Sequence, residues 1–322
     1  MLSSFVWWSA VFIVSLSVLI KASDSFTDAA ERIGLTFGIP AFIVGVTIVS
    51  VGTSLPELIS SIFAVLRDSS EIVVGNVVGS NIANIFLILG IAAIFGKKLK
   101  VTYELVHVDL PILVGSAFLF AIAIWDGVFN LIEALLFIAG LVIYLSYIIS
   151  TEKHHRDVEI RKEMKEKLQK RKIESEQRNI SILVVSALFI YVGANYIVES
   201  VINLSEILNI GKEIIAASVI ALGTSLPELM VSVTAARKGK PEIAVGNVLG
   251  SNIFNTFAVM GIPALIGTLI IPESILTFGL PVMLMATLLY FFMAQDREIT
   301  KWEGYLLLIF YIFFIGKLFE FF

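Results

Sequence analysis

The 322-residue chain has no cysteine, which excludes disulfides, thiolate metal sites and cysteine nucleophiles. Its three histidines (His107, His154 and His155) are too few and too badly spaced for a zinc or iron site. Charge is scarce too: 16% of residues are charged and 57% hydrophobic, where soluble domains average about a quarter and about half. No polar stretch is large enough to be a soluble domain, so a water-soluble enzyme is disfavoured and a polytopic membrane protein expected. A cleavable signal is also missing. The first apolar run starts almost at Met1 and ends at Lys21-Ala-Ser-Asp24 without a small-residue cleavage site, so it reads as a retained span.

What is present is a series of apolar runs. A bilayer core of roughly 30 Å takes about 20 helical residues. That ruler predicts ten spans near 4–21, 39–66, 72–95, 107–124, 128–149, 180–198, 212–236, 243–268, 275–294 and 303–320. The one long polar segment, 150–179, holds ten of the 23 Lys and Arg residues together with seven acids, and reads as a solvated loop. With that loop in the cytoplasm, alternation places 20 of the 23 basic residues inside, leaving Arg67, Lys212 and Lys317 outside. This positive-inside asymmetry puts both termini outside, in a multi-pass protein of the cell membrane.

The chain also repeats itself. Gly52-Thr-Ser-Leu-Pro-Glu-Leu58 recurs letter for letter as Gly223 to Leu229, an offset of 171. At the same offset, Gly75 to Ile85 matches Gly246 to Thr256 at eight of eleven positions. Two polar motifs in one register mark two homologous halves: 1–149 and 180–322, joined by the 150–179 loop. Five spans per half is odd, so the second half enters from the opposite side. The expected fold is all-α, with two inverted five-helix repeats and broken helices at a midplane ion site. Pro56 and Pro227, each four residues after a glycine, are the expected interruptions.

Glu57 and Glu228 fall deep inside predicted spans, where a carboxylate costs several kcal/mol (about 2.5 or more on insertion scales) unless a cation, a proton or a polar cavity compensates it. No Lys, Arg or His in a span midplane offers itself as a partner. Thr53 and Ser54, and in the second half Thr224 and Ser225, place hydroxyls beside each acid at helical spacing. Ser80 with Asn84, and Ser251 with Asn255, line one face of the next helix. These are hard oxygen ligands without sulfur or imidazole, and they suit Ca²⁺ and Na⁺. Gly75, Gly79, Gly246 and Gly250 read as a small-xxx-small packing surface, and Asn76, Asn81, Asn247 and Asn252 can equally bond neighbouring helices. Asp24, Asp28, Asp109, Asp126, Glu133, Glu199 and Glu213 lie near span ends and read as interfacial.

GTSLPE followed by G-N-x-x-G-S-N-x-x-N, present twice, resembles the α-repeats of the Ca²⁺:cation antiporter superfamily, in particular its prokaryotic sodium/calcium exchangers. The resemblance covers both halves and implies Na⁺/Ca²⁺ antiport by alternating access. It implies that Glu57 and Glu228 are the central Ca²⁺ carboxylates, with Thr53, Ser54, Thr224 and Ser225 as ligands beside them. It further implies that Ser80 and Ser251 are flanking sodium ligands, that Asn84 supplies an amide, and that the carbonyls of Ser50 and Ala221 bind sodium. Asn255 stands where potassium-dependent exchangers and some prokaryotic members carry Asp, and so is similar to the potassium-independent exchangers. The central loop departs from the large animal exchangers in being too short for calcium-sensing domains.

Two carboxylates can be neutralised by one Ca²⁺ or by two Na⁺, so the two loads compete for the same oxygens. More than two Na⁺ per Ca²⁺ would make each cycle electrogenic. The rival readings are an H⁺/Ca²⁺ or K⁺-linked exchanger, and a cation channel. An intramembrane enzyme lacks a credible nucleophile and base. Ca²⁺ and Na⁺ are expected as substrates rather than cofactors. The bilayer is the other expected partner, and neither nucleic acid nor a partner protein is implied.

Overall fold

The computed structural model describes residues 2–37, 39–66, 68, 70–101, 108–154, 174–207, 223 and 225–318. The expected ligands Ala221 and Thr224 lie outside the described residues, as do His107, His155 and most of the charged loop. Helices dominate: α1 (Leu2–Phe37), α2 (Ala41–Leu66), α3 (Glu71–Gly96), α4 (Asp109–Ala123), α5 (Leu131–His154), α6 (Glu174–Ile207), α7 (Leu226–Arg237), α8 (Pro241–Ala264), α9 (Ile275–Ala294) and α10 (Lys301–Leu318). Between them lie four very short strands: β1 (Lys98–Lys100), β2 (Val128–Phe129), β3 (Leu269–Ile270) and β4 (Glu298–Thr300). Among the described residues, six helices (α1, α2, α3, α5, α8 and α9) are long and apolar enough to cross a membrane. The stretches Asp109–Ala123 and Gln177–Gly193 are shorter apolar helices.

Helix ends differ from the hydropathy ruler where a helix turns amphipathic. The first span was expected to stop near residue 21, yet α1 continues to Phe37. Past Lys21 the apolar stripe Phe26, Ala29, Ala30 and Ile33 stays buried while Lys21, Ser25 and Arg32 are exposed, so the helix has a reason to continue after its hydropathy falls. Helix α6 likewise runs to Ile207. Capping boxes start the fifth helix of each half. At α5, Glu133 Oε2 accepts from the Asn130 N–H at 2.7 Å and Asn130 Oδ1 accepts from the Glu133 N–H at 3.3 Å. At α10, Thr300 and Glu303 exchange the same two bonds at 2.7 and 3.4 Å.

The expected break at Pro56 is not where the first half departs from α-helical geometry. Pro56 sits inside a continuous helical stretch, Ser50–Leu66, and the backbone widens one turn earlier, over Gly45–Val49. Similar wide turns occur at Ala83–Leu89 in α3, at Asn255–Val259 in α8 and at Ile275–Gly279 in α9. A proline removes one hydrogen bond, and this helix tolerates that loss. In the second half, Pro227 lies in the first turn of α7, where its missing N–H leaves no intrahelical bond unmade.

The strands tie the two halves together. β1 pairs antiparallel with β4, Leu99 facing Ile299, and β2 pairs antiparallel with β3, Phe129 facing Leu269. Adding the repeat offset carries β1 onto β3 and β2 onto β4, so exchanging the halves converts one ribbon into the other. Backbone conformation follows the same exchange: Asp68 (φ 54°) and Gly239 (φ 72°), 171 residues apart, both take the left-handed conformation in the connection after the motif helix. The motif-bearing helices form the interior. Of the most apolar stretch of α8, 94% is buried, and of α3, 78%, against 17% for α1.

Candidate ion-binding site

Helix α2 turns Ser50, Thr53, Ser54 and Glu57 into the protein interior, all of them buried. Ser54 Oγ donates to Glu228 Oε1 at 2.9 Å, joining the motif of one half to the acid of the other. Thr53 Oγ1 donates to Asn247 Oδ1 at 3.3 Å, and Asn247 Nδ2 donates to Ser232 Oγ at 2.9 Å. Glu57 and Glu228 are each 1% exposed. Glu228 belongs to the first turn of α7, where the unpaired N–H groups of the helix start favour a negative charge. Both oxygens of Glu57 and Oε2 of Glu228 have no hydrogen-bond partner among the described residues.

The flanking helices add more oxygen. Ser80, Asn84, Ser251 and Asn255 are buried as expected. Ser80 Oγ donates to Asn76 Oδ1 at 3.5 Å, and Asn76 Nδ2 donates to Ser61 Oγ at 3.3 Å. Asn84 Nδ2 donates to Asn252 Oδ1 at 2.9 Å. The Asn84 and Asn255 carbonyl oxygens and the Ser225 and Ser251 hydroxyls have no partner among the described residues. Ser50 donates its hydroxyl to the Val46 carbonyl, while its own carbonyl accepts from Thr53 Oγ1 at 3.3 Å.

Close packing holds α2 and α8 together. A Cβ at Gly246 would sit 2.5 Å from the Phe42 carbonyl oxygen, and one at Gly250 would sit 2.6 Å from Ser50 Oγ. The small-residue surface on α8 is therefore a direct contact with α2. Gly75 does not follow: nothing lies within 4 Å of where its Cβ would be. The asparagines expected to bond across helices do so, and the bonds Asn76–Ser61 and Asn247–Ser232 are equivalent under the repeat offset.

The structure thus joins the Thr53, Ser54 and Glu57 cluster to Glu228, and Asn84 to α8 through Asn252. The ion pairs of Lys98, Lys238 and Lys240 with Glu298, Asp24, Asp28 and Glu31 leave Glu57 and Glu228 out. No group of three or more His, Cys, Asp or Glu residues among the described residues could hold a metal ion, so the negative charge here is that of two carboxyls. Two acids amid neutral hydroxyl and amide oxygens fit a hard cation of low charge.

Two features escaped the sequence reading. Asp109, at the start of α4, is fully buried in the protein, with Tyr144 Oη donating to its Oδ1 at 3.4 Å. Only the packing of α4 against the rest of the protein reveals this. Ser61 and Ser232, by contrast, had a visible signal, since they are identical residues at the same offset as the motifs.

A family model for sodium/calcium exchanger proteins matches residues 7–150 and 179–319. The chain belongs to the sodium/calcium exchanger family. It is 36% identical to the sodium/calcium exchanger MaX1 of Methanosarcina acetivorans, over 96% of this chain and 97% of that protein. It is 32% identical to the inner membrane protein YrbG of Escherichia coli, over 80% of this chain and 79% of that one. Among solved structures, the sodium-calcium exchanger NCX_Mj soaked with Na⁺ and Sr²⁺ superposes with a TM-score of 0.84 at 28% identity, covering 97% of this chain and 99% of that chain. Membership of the exchanger family makes this chain a membrane transporter and not an enzyme, and it gives the paired carboxyls a setting in ion transport.

Proposed function

We propose that the protein exchanges Na⁺ for Ca²⁺ across the cell membrane by alternating access, with Glu57 and Glu228 as the shared carboxylates. The observation that carries this reading is the hydrogen bond from Ser54, one turn before Glu57 in the first half, to Glu228 of the second, which brings the two buried acids into one cluster of hydroxyl and amide oxygens with no basic side chain paired to either among the described residues. Thr53, Ser54, Ser80, Asn84, Ser225, Ser251 and Asn255 supply the surrounding ligands. The Ser50 carbonyl and, in the second half, Ala221 and Thr224 complete the set.

An uncompensated pair of acids in a closing, drying cavity is prohibitively unfavourable. The carrier therefore reorients when the pair holds one Ca²⁺ or its Na⁺ equivalents, and not when it is bare. Three or more Na⁺ per Ca²⁺ make the cycle electrogenic, each net charge being worth about 2.3 kcal/mol per 100 mV. The neutral amide at Asn255 favours Na⁺ alone over a K⁺-linked cycle.

The proposed topology has ten spans, α1 to α10, in two inverted five-helix repeats (1–149 and 180–322). The 150–179 loop is cytoplasmic and both termini are outside. The exchange of the two strand ribbons under the repeat offset supports the inversion. The distribution of basic residues puts the connections carrying β1 and β4 inside and those carrying β2 and β3 outside, so each ribbon joins connections of one side.

The test is ion-swap flux in reconstituted vesicles. Na⁺-loaded vesicles diluted into Na⁺-free buffer should take up radiolabelled Ca²⁺, and K⁺ or a pH gradient should not substitute. Uptake indifferent to internal Na⁺ would overturn the exchanger reading in favour of a channel, and uptake driven by a pH gradient would replace Na⁺ with H⁺.

A further inference from the structure

We infer that Asn252 is a positioning residue that holds the Asn84 amide with its oxygen free for the transported cation, and that the equivalent amide, Asn255, is not held. The inference rests on the exchange reading above and concerns two residues that are equivalent by sequence and unequal in the structure.

An amide presents a carbonyl oxygen on one arm and an NH₂ group on the other. Only the oxygen can bind a cation, so a ligand amide must be kept from turning over. Asn252 performs this for Asn84. Its Nδ2 donates to the Asn81 backbone carbonyl at 3.5 Å, and a carbonyl can only accept, which leaves the Oδ1 arm of Asn252 for Asn84. That oxygen takes Asn84 Nδ2 at 2.9 Å. The NH₂ arm of Asn84 is thereby occupied, and its Oδ1 is left buried without a hydrogen-bond partner among the described residues.

The repeat offset carries Asn252 onto Asn81 and Asn84 onto Asn255, so the mirror arrangement would have Asn255 Nδ2 donating to Asn81 Oδ1. It is not formed: Asn81 Oδ1 and both polar atoms of the Asn255 amide are buried without partners among the described residues. The cause lies one residue beyond Asn255. Thr256 stands where the first half has Ile85, and its hydroxyl takes Asn81 Nδ2 at 3.2 Å. This turns the Asn81 amide to a partner that has no counterpart in the first half. One of the two midplane amides is therefore a fixed oxygen donor and the other is free to present either arm.

The experiment uses full-length protein in Na⁺-loaded vesicles, with initial Ca²⁺ uptake measured against external Ca²⁺. Wild-type uptake is the control for the exchange reading itself, and without it that reading fails before this one is reached. Asn252→Leu should raise the apparent KM for Ca²⁺ about tenfold with a smaller change in maximal rate, the scale of one lost hydrogen bond. The decisive arm repeats Asn252→Leu in an Asn84→Asp background. A carboxylate has no NH₂ arm to turn inward, so the same substitution should there change KM by less than about twofold. Asn252→Ala, run in both backgrounds, replaces the leucine if the latter is not accommodated. An equal KM penalty in both backgrounds would mean that Asn252 only packs, and would overturn the inference, as would a KM unchanged by losing Asn252 from the otherwise wild-type protein.

Discussion

Ser54 Oγ and Glu228 Oε1, 174 residues apart in the chain, meet at 2.9 Å in a fully buried hydrogen bond. The equivalent bond under the repeat offset would join Ser225 to Glu57, and it is not made: Ser225 Oγ and both Glu57 oxygens have no hydrogen-bond partner among the described residues. The two halves carry the same seven-residue motif and place it differently. In the first half the motif lies mid-helix, and in the second Ser225 precedes the start of α7. The proposed alternating-access cycle would exchange these unequal conformations between the two halves.

The first prediction removes charge from this pair. Glu57→Gln and Glu228→Gln should each abolish Na⁺-driven Ca²⁺ uptake while leaving a monodisperse, folded protein, because one remaining carboxylate cannot balance a divalent ion. Ser54→Ala should be milder. Losing a hydrogen bond to a charged group costs about 1.5–3 kcal/mol, so the KM for Ca²⁺ should rise at least tenfold. Full activity in both glutamine variants would remove the carboxylate-pair reading.

A second prediction separates two glycines of the same motif. Gly250→Ala places a methyl group against the Val46 carbonyl and Ser50 Oγ, so α2 and α8 must part and stability should fall by about 1–3 kcal/mol. Gly75→Ala meets nothing within 4 Å and should be neutral or stabilising by up to about 1 kcal/mol through helix propensity. Thermal unfolding in detergent distinguishes them. Equal losses in the two variants would show that α3 and α8 are packed alike.

The acids were legible in the sequence because a charge inside an apolar run has few structural uses, and the halves because polar motifs repeat in register. Helix extents were less so. A hydropathy window registers apolar residues and misses the amphipathic continuation of α1 past Lys21. The burial of Asp109 and the openness beside Gly75 depend on which helices pack against which, information that no local pattern holds. Pro56 misled for a related reason: a missing N–H need not break a helix, and the backbone widened at Gly45–Val49 instead.

A third prediction concerns motion. Helices α1 and α6 pack against each other, a Cβ at Gly193 lying 3.2 Å from Leu19 Cβ, and neither carries the repeated motifs. If α1 and α6 slide together past the motif helices, a disulfide between them should leave transport intact. Leu19→Cys with Gly193→Cys, in a chain with no other cysteine, should exchange Na⁺ for Ca²⁺ at a similar rate oxidised or reduced. Arrest on oxidation, reversed by reductant, would show that the two helices move against each other and would end the sliding-pair account.

The fourth prediction concerns the ion pairs that tether α1 to the connection between α7 and α8. Lys240 Nζ lies 2.7 Å from both Asp28 and Glu31, and Lys238 Nζ lies 2.9 Å from Asp28. Burial works against the Lys240 charge, but its hydrogen bonds to Asp28 and Glu31 outweigh that and hold its pKa above the ordinary lysine value. A group whose pKa rises on folding contributes its full stabilisation below the unfolded value, about 10.4 for lysine, and loses it as pH climbs through the folded value. The contribution is modest for a half-exposed pair, within about 1 kcal/mol. The difference in melting temperature between the wild type and Lys240→Met should therefore be small, constant from about pH 7 to pH 9, and should shrink only above about pH 10.4. It should also narrow as salt is raised, since these side chains remain within reach of screening ions. A difference that vanished between pH 7 and pH 9 would mean that Lys240 does not hold its proton through these contacts.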